Sequence, residues 1–194
     1  MKIFKSRLFK AIIIIFIVGL LCGFIGFIFL NNDYKKELSD SFNNYILLIK
    51  NSKFNYLNSF IKCTTSNYKY SFLLCVFGIS FIFIILIPLF IFFSGIIFSF
   101  SLFSIIYTFK LKGLLYALIL LFPSILNNFI YILISYYSIN LGFKVFNAYK
   151  NNKNVNFKSF FRNYIFVFLI LNICFIVTSL FETYISSNII KFIV

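Results

Sequence analysis

From Ser71 to Phe109 the chain runs for 39 residues without one charged side chain. As a single helix this run would be ~58 Å long, nearly twice the ~30 Å hydrocarbon core of a bilayer. A water-soluble domain cannot hide such a stretch, and lipid accepts it, so the chain must cross a membrane here more than once. Three further charge-free runs accompany it: Ala11 to Leu30 (20 residues), Leu114 to Phe143 (30) and Tyr164 to Phe181 (18). Composition agrees, because with 62% apolar and only 11% charged residues too few polar groups remain to coat a water-facing surface.

These runs predict an all-α integral membrane protein with about five transmembrane helices. Residues 1–30 form a basic N-terminus and first span. Phe and Ile fill the far end of that run where a signal peptidase needs small residues, and Leu21 precedes Cys22 where a lipoprotein signal needs a small one, so an uncleaved anchor is expected. Pro88 and Ser94-Gly95 offer bends that divide the long run into spans of about 71–92 and 95–109. Pro123 predicts that the span from Leu114 is tilted or broken, and residues 164–181 supply the last span. Residues 71–194 thus read as a four-helix membrane region with a cytoplasmic basic loop at 144–162.

Five spans with the N-terminus cytoplasmic place nine basic residues inside: Lys2, Lys5, Arg7 and Lys10, then Lys144, Lys150, Lys153, Lys158 and Arg162. Nine lie outside: six spread over residues 31–70, then Lys110, Lys112 and Lys191. A four-span arrangement gives seven inside against eleven outside, a worse fit to the positive-inside rule. The expectation is therefore a multi-pass bacterial cell-membrane protein with its C-terminus outside.

The same sequence removes most chemistry. It has no His and only four acids, Asp33, Glu37, Asp40 and Glu182, which leaves no material for a triad, a carboxylate pair or a His-bound metal. No enzyme, cofactor or metal site is expected. Cys22, Cys63, Cys75 and Cys174 are scattered without a C-x-x-C and read as small buried apolar residues. The 32 Phe, beside abundant Ile, Asn, Lys and Tyr, match the residues of AT-rich codons, so individual Phe positions carry little information. The basic, aromatic loop 144–162 suits anionic lipid headgroups rather than nucleic acid, because it lies between two spans.

Two spans carry aligned polar faces. Ser124, Asn128, Tyr131, Ser135 and Ser138 recur at intervals of 4, 3, 4 and 3, with Asn127 on the flank. At about 100° per residue they share an arc. Ser94, Ser101, Ser104 and Thr108 do the same in the preceding span. Such faces permit close interhelical packing or, alternatively, line a translocation path. Between the first two spans, residues 31–70 form an extracytoplasmic amphipathic segment. Tyr34, Leu38, Phe42, Tyr45 and Ile49 recur at helical spacing, then Phe54, Leu57 and Ile61. Asn31-Asn32-Asp33 suits an N-cap and first turn. Two amphipathic helices are expected, covering the bundle or the bilayer surface, or docking a partner through Tyr34, Leu38, Phe42 and Ile49. Glu182, at the end of the last span, is either a functional acid or an interfacially solvated one.

The order of these features resembles the stage II sporulation protein M family. Lys112-Gly113-Leu114-Leu115-Tyr116-Ala117-Leu118, followed by Leu121-Phe122-Pro123, is similar to that family's K-G-L-x-x-A-L and x-P-Q-N signature. Leu180-Phe181-Glu182-Thr183-Tyr184-Ile185-Ser186 is similar to its L-x-E-x-Y-I-[ST] ending. The chain departs from the pattern after Pro123, where Ser124-Ile125 stands in place of Gln-Asn and Asn127-Asn128 follows later. The resemblance implies a non-catalytic scaffold that anchors two peptidoglycan-degrading partners, stage II sporulation proteins D and P, during engulfment. It also implies an alternative, because relatives of the wider branch occur with bacteriocin export and immunity: a membrane subunit of a transport or immunity system.

Overall fold

The computed structural model describes residues 6–51, 54–150 and 157–193. All regular structure among them is helical: α1 (Arg7–Ile28), α2 (Asn32–Lys50), α3 (Tyr56–Ile79), a 3-10 turn (Phe81–Ile85), α4 (Leu86–Lys150), α5 (Phe157–Leu180), a π-helical turn (Phe181–Ser186) and α6 (Ser187–Ile193). Part of the basic loop, residues 151–156, lies outside the described residues, as do Lys2, Lys5 and Lys53.

α4 is a hairpin. Lys110 adopts φ 51° and ψ −124°, a conformation that favours glycine, and the chain reverses there into limbs 86–109 and 111–150. Gly113 lets the limbs close tightly, since a Cβ on it would sit 2.8 Å from the Ile105 carbonyl oxygen. Three helical stretches are long and apolar enough to cross a membrane: Arg7–Ile28, Phe83–Asn147 and Phe161–Phe192. The second is folded in two, and α3 runs alongside as the fifth helix. The protein is an all-α membrane protein with five bundle helices.

Their directions follow from the contacts. Gly19 and Gly23 of α1 meet Phe92 and Ile96 in turn, and Phe27 meets Phe100, so α1 runs parallel to the first limb of α4. Tyr56 stacks on Tyr184 and Asn67 bonds Ser179, so α3 runs antiparallel to α5. The first and last described residues therefore lie at opposite ends of the bundle.

Several expected boundaries move. The second bundle helix begins at Tyr56 rather than near residue 71, so the second half of segment 31–70 is continuous with it. The long apolar run breaks at extended Ser80 and the following 3-10 turn, not at Pro88 or Ser94-Gly95. Pro88 falls near the start of α4, where a missing N–H costs little. Gly95 is a contact point instead: a Cβ there would lie 2.5 Å from the Phe16 carbonyl oxygen of α1. With Gly19 and Gly23 it brings two backbones together, the means by which helices associate when lipid removes the hydrophobic drive.

Pro123 does not break its helix. Proline removes the N–H that would bond the carbonyl four residues earlier, here that of Ile119. Ser186 supplies the missing donor, its hydroxyl 3.0 Å from that oxygen. Outside the bundle, α2 lays Ile46 and Ile49 on Ile105, Tyr116 and Ile190, with Phe42 and Tyr45 packed beside them. Lys35 ties its start to the end of α1 by donating to the Ile28 carbonyl at 3.1 Å, a cation at a helix C-terminus.

Candidate functional site

The bundle encloses a cavity of about 720 Å³ bordered by α3, both limbs of α4 and the π-helical turn, with Tyr45 and Phe54 at its α2 end. Its walls mix aromatic and aliphatic side chains with polar ones, and the polar groups come partly from α3 and the π-helical turn and partly from the residues the sequence aligned on two faces. Ser94, Ser101, Ser124, Asn127, Asn128 and Tyr131 all line it. The two stripes converge because the hairpin at Lys110 turns them toward each other: Ser94 Oγ donates to Asn128 Oδ1 across the limbs.

The stripes do not serve one purpose along their whole length. Ser135 and Ser138 lie below the cavity, fully buried where the second limb meets α3. Ser138 contacts Tyr164 at 2.8 Å between hydroxyls and packs on Gly78, where a Cβ would be 2.8 Å from the Ser138 Cα. Ser104 and Thr108 return their hydroxyls to their own helix, at 2.8 Å from the Phe100 and Ser104 carbonyls. Ser138 thus joins two helices, Ser104 and Thr108 satisfy their hydroxyls within their own, and the other six aligned residues named above line the cavity.

Glu182 enters the cavity from the π-helical turn, a geometry that re-aims side chains and recurs at functional sites. The Cys63 thiol donates to its Oε2 at 3.1 Å. Asn67, one turn along α3, donates to Ser179 Oγ at 3.3 Å and accepts from the Tyr131 hydroxyl at 2.9 Å. Thr178 donates to Asn127 Oδ1 at 2.5 Å. Among the described residues no cation pairs with Glu182. The rest of its turn is structural: Tyr184 stacks on Tyr56 at 5.5 Å between centroids, Thr183 bonds the Ser179 carbonyl at 2.8 Å, and Ser186 serves Ile119. Burial against the bundle pushes the Tyr45 phenol above its usual range, and the nearby Glu182 charge adds to that.

Cys63 is thus a polar partner of the acid rather than a plain apolar filler. Lys62, Cys63 and Asn67 were not among the expected site residues. Their signal lay in α3 itself, where Ser59, Lys62, Ser66 and Lys69 keep helical spacing next to Cys63 and Asn67. Of the expected docking residues, Ile49 is buried on the bundle with 1% exposure and Phe42 packs half-buried beside it. Leu38 is half-buried and Tyr34 stays exposed.

The model for stage II sporulation protein M matches residues 12–187, nearly the whole chain. The chain belongs to the stage II sporulation protein M family. The family assignment covers all five bundle helices, the cavity and the turn that carries Glu182. No curated protein and no solved structure matches the chain. It is a membrane protein of a sporulation family.

Proposed function

We propose that the protein is a non-catalytic membrane scaffold that recruits peptidoglycan-degrading partners, resembling stage II sporulation proteins D and P, during engulfment. Family membership over residues 12–187 carries this reading. In this arrangement the N-terminus is cytoplasmic, and the end of the bundle bearing α2 and the Lys110 turn faces outward. α2 uses one face to cover the bundle, while Tyr34 at the start of that stripe and Leu47 and Leu48 beside it stay exposed, 47–58% accessible. These exposed side chains are the docking surface. Immunoprecipitation from sporulating cells should recover a wall hydrolase, and Tyr34→Ala with Leu47→Ser should lose it while membrane level stays normal. Recovery of no hydrolase, together with normal engulfment in a deletion strain, sinks the reading.

A second reading, a transport or bacteriocin-immunity subunit, is favoured by the polar cavity. Asn127→Leu with Asn128→Leu should then abolish peptide resistance at unchanged protein level. Full resistance in that variant removes it.

A further inference from the structure

The cavity opens sideways. Its open rim is formed on one side by Lys62 and Ser66 of α3, with half-buried Ser59 beside them, and on the other by Phe93 and Ile97 of α4; Lys62, Ser66, Phe93 and Ile97 are exposed. Lys69 continues the α3 rim one turn further on the same face and is also exposed. Asn67 lies level with Tyr131, near the middle of the second α4 limb, so this rim sits within the length of the bundle rather than beyond its end. A basic residue at such depth is costly unless it meets an anion or water, and it marks function by default. Among the described residues neither Lys62 nor Lys69 has an ion-pair or hydrogen-bond partner. Inside, the single carboxylate of Glu182 likewise has no cation.

We propose that this laterally open cavity binds an amphiphile whose headgroup joins a phosphate to a primary ammonium. The ammonium meets Glu182, backed by the aromatic walls of Phe90 and Tyr131. The phosphate meets Lys62 and Lys69 on the exposed α3 side of the rim, basic side chains that attract anionic headgroups. The acyl chains stay in the bilayer beside Phe93 and Ile97. Each unpaired charge then gains an opposite one, and the ligand arrives without crossing water. A cavity of about 720 Å³ is of the size that takes a small molecule. The site goes beyond the scaffold reading and stands whether or not hydrolases bind.

The test uses the full chain in nanodiscs of phosphatidylglycerol doped with a photoreactive, alkyne-tagged phosphatidylethanolamine. Saturable labelling should map to peptides of α3, α4 or the 181–186 turn, and unlabelled phosphatidylethanolamine should compete at least about fivefold better than phosphatidylglycerol, the equivalent of one charged headgroup contact. Glu182→Gln should abolish that preference while labelling persists. Lys62→Gln with Lys69→Gln should weaken labelling by both phospholipids. Ser66→Trp, placed at the open rim where it disturbs no hydrogen bond, should block labelling altogether. Circular dichroism and gel filtration of each variant confirm the fold. The proposal is overturned if phosphatidylglycerol competes equally in the wild type, if Ser66→Trp labels normally, or if the label joins two protein chains. Displacement by free phosphoethanolamine would assign the site to a soluble ligand and overturn the amphiphile.

Discussion

Replacing Ser186 by Ala tests how the second limb of α4 tolerates Pro123. The Ser186 hydroxyl lies 3.0 Å from the Ile119 carbonyl oxygen and Ser186 has no exposed surface, so water cannot replace the lost donor. An unsatisfied buried acceptor costs about 1–3 kcal/mol in soluble proteins, while interhelical hydrogen bonds in membranes average about 0.6 and reach about 1.7 kcal/mol. Ser186→Ala should therefore destabilise the bundle by about 1 kcal/mol. Pro123→Ala restores the N–H that normally bonds Ile119, so in that background the serine is redundant. Ser186→Ala should then cost less than about 0.3 kcal/mol, giving a coupling near 1 kcal/mol. Unfolding in mixed micelles by titrated dodecyl sulfate, followed by far-ultraviolet circular dichroism, measures all four corners of the cycle. An equal cost for Ser186→Ala in both backgrounds would refute the idea that the hydroxyl substitutes for the proline's missing donor.

Three further outcomes follow from the geometry. Gly23→Leu should destabilise the bundle by about 2–3 kcal/mol in the same assay, because its Cβ would lie 2.5 Å from the Ile96 carbonyl oxygen and 2.9 Å from the Ile96 Cα; Gly26→Leu, with nothing within 4 Å, should be close to neutral. Lys110→Gly should stabilise the hairpin by about 1 kcal/mol by relieving a non-glycine residue at positive φ, and an unchanged midpoint would show that Lys110 bears no strain. With the four native cysteines replaced by alanine, Asn44→Cys on the exposed face of α2 should react with an impermeant maleimide in intact cells. Labelling only after permeabilisation would invert the proposed orientation.

Most of the architecture was legible from hydropathy because transfer into lipid is a local property, summed residue by residue along a run. Ala11 to Leu30 announced α1, and the two long runs announced the membrane hairpin of α4. α3 was misplaced for the same reason. Its Lys62, Ser66, Asn67 and Lys69 lower the apolarity of the segment, and only the fold shows that Asn67 is buried against other helices while the lysines edge a cavity. The apolar stripe of α2 was visible too, but whether it met a partner or its own bundle depended on the hairpin end that Ile105 and Tyr116 present to it.

The sequence by itself determined that the chain lives in lipid, that it is helical, and which motifs tie it to its family, because each depends on composition or on short spacing. Tertiary structure alone decided what the polar residues do. One stripe holds both Asn128 and Ser138, and they differ only in what the neighbouring helix places opposite: an open cavity for the first, Gly78 and Tyr164 for the second. Glu182 gained its meaning in the same way. A lone acid at the end of a span became a carboxylate lining the bundle cavity, because a π-helical turn aims it at Cys63 on a helix 119 residues earlier in the chain.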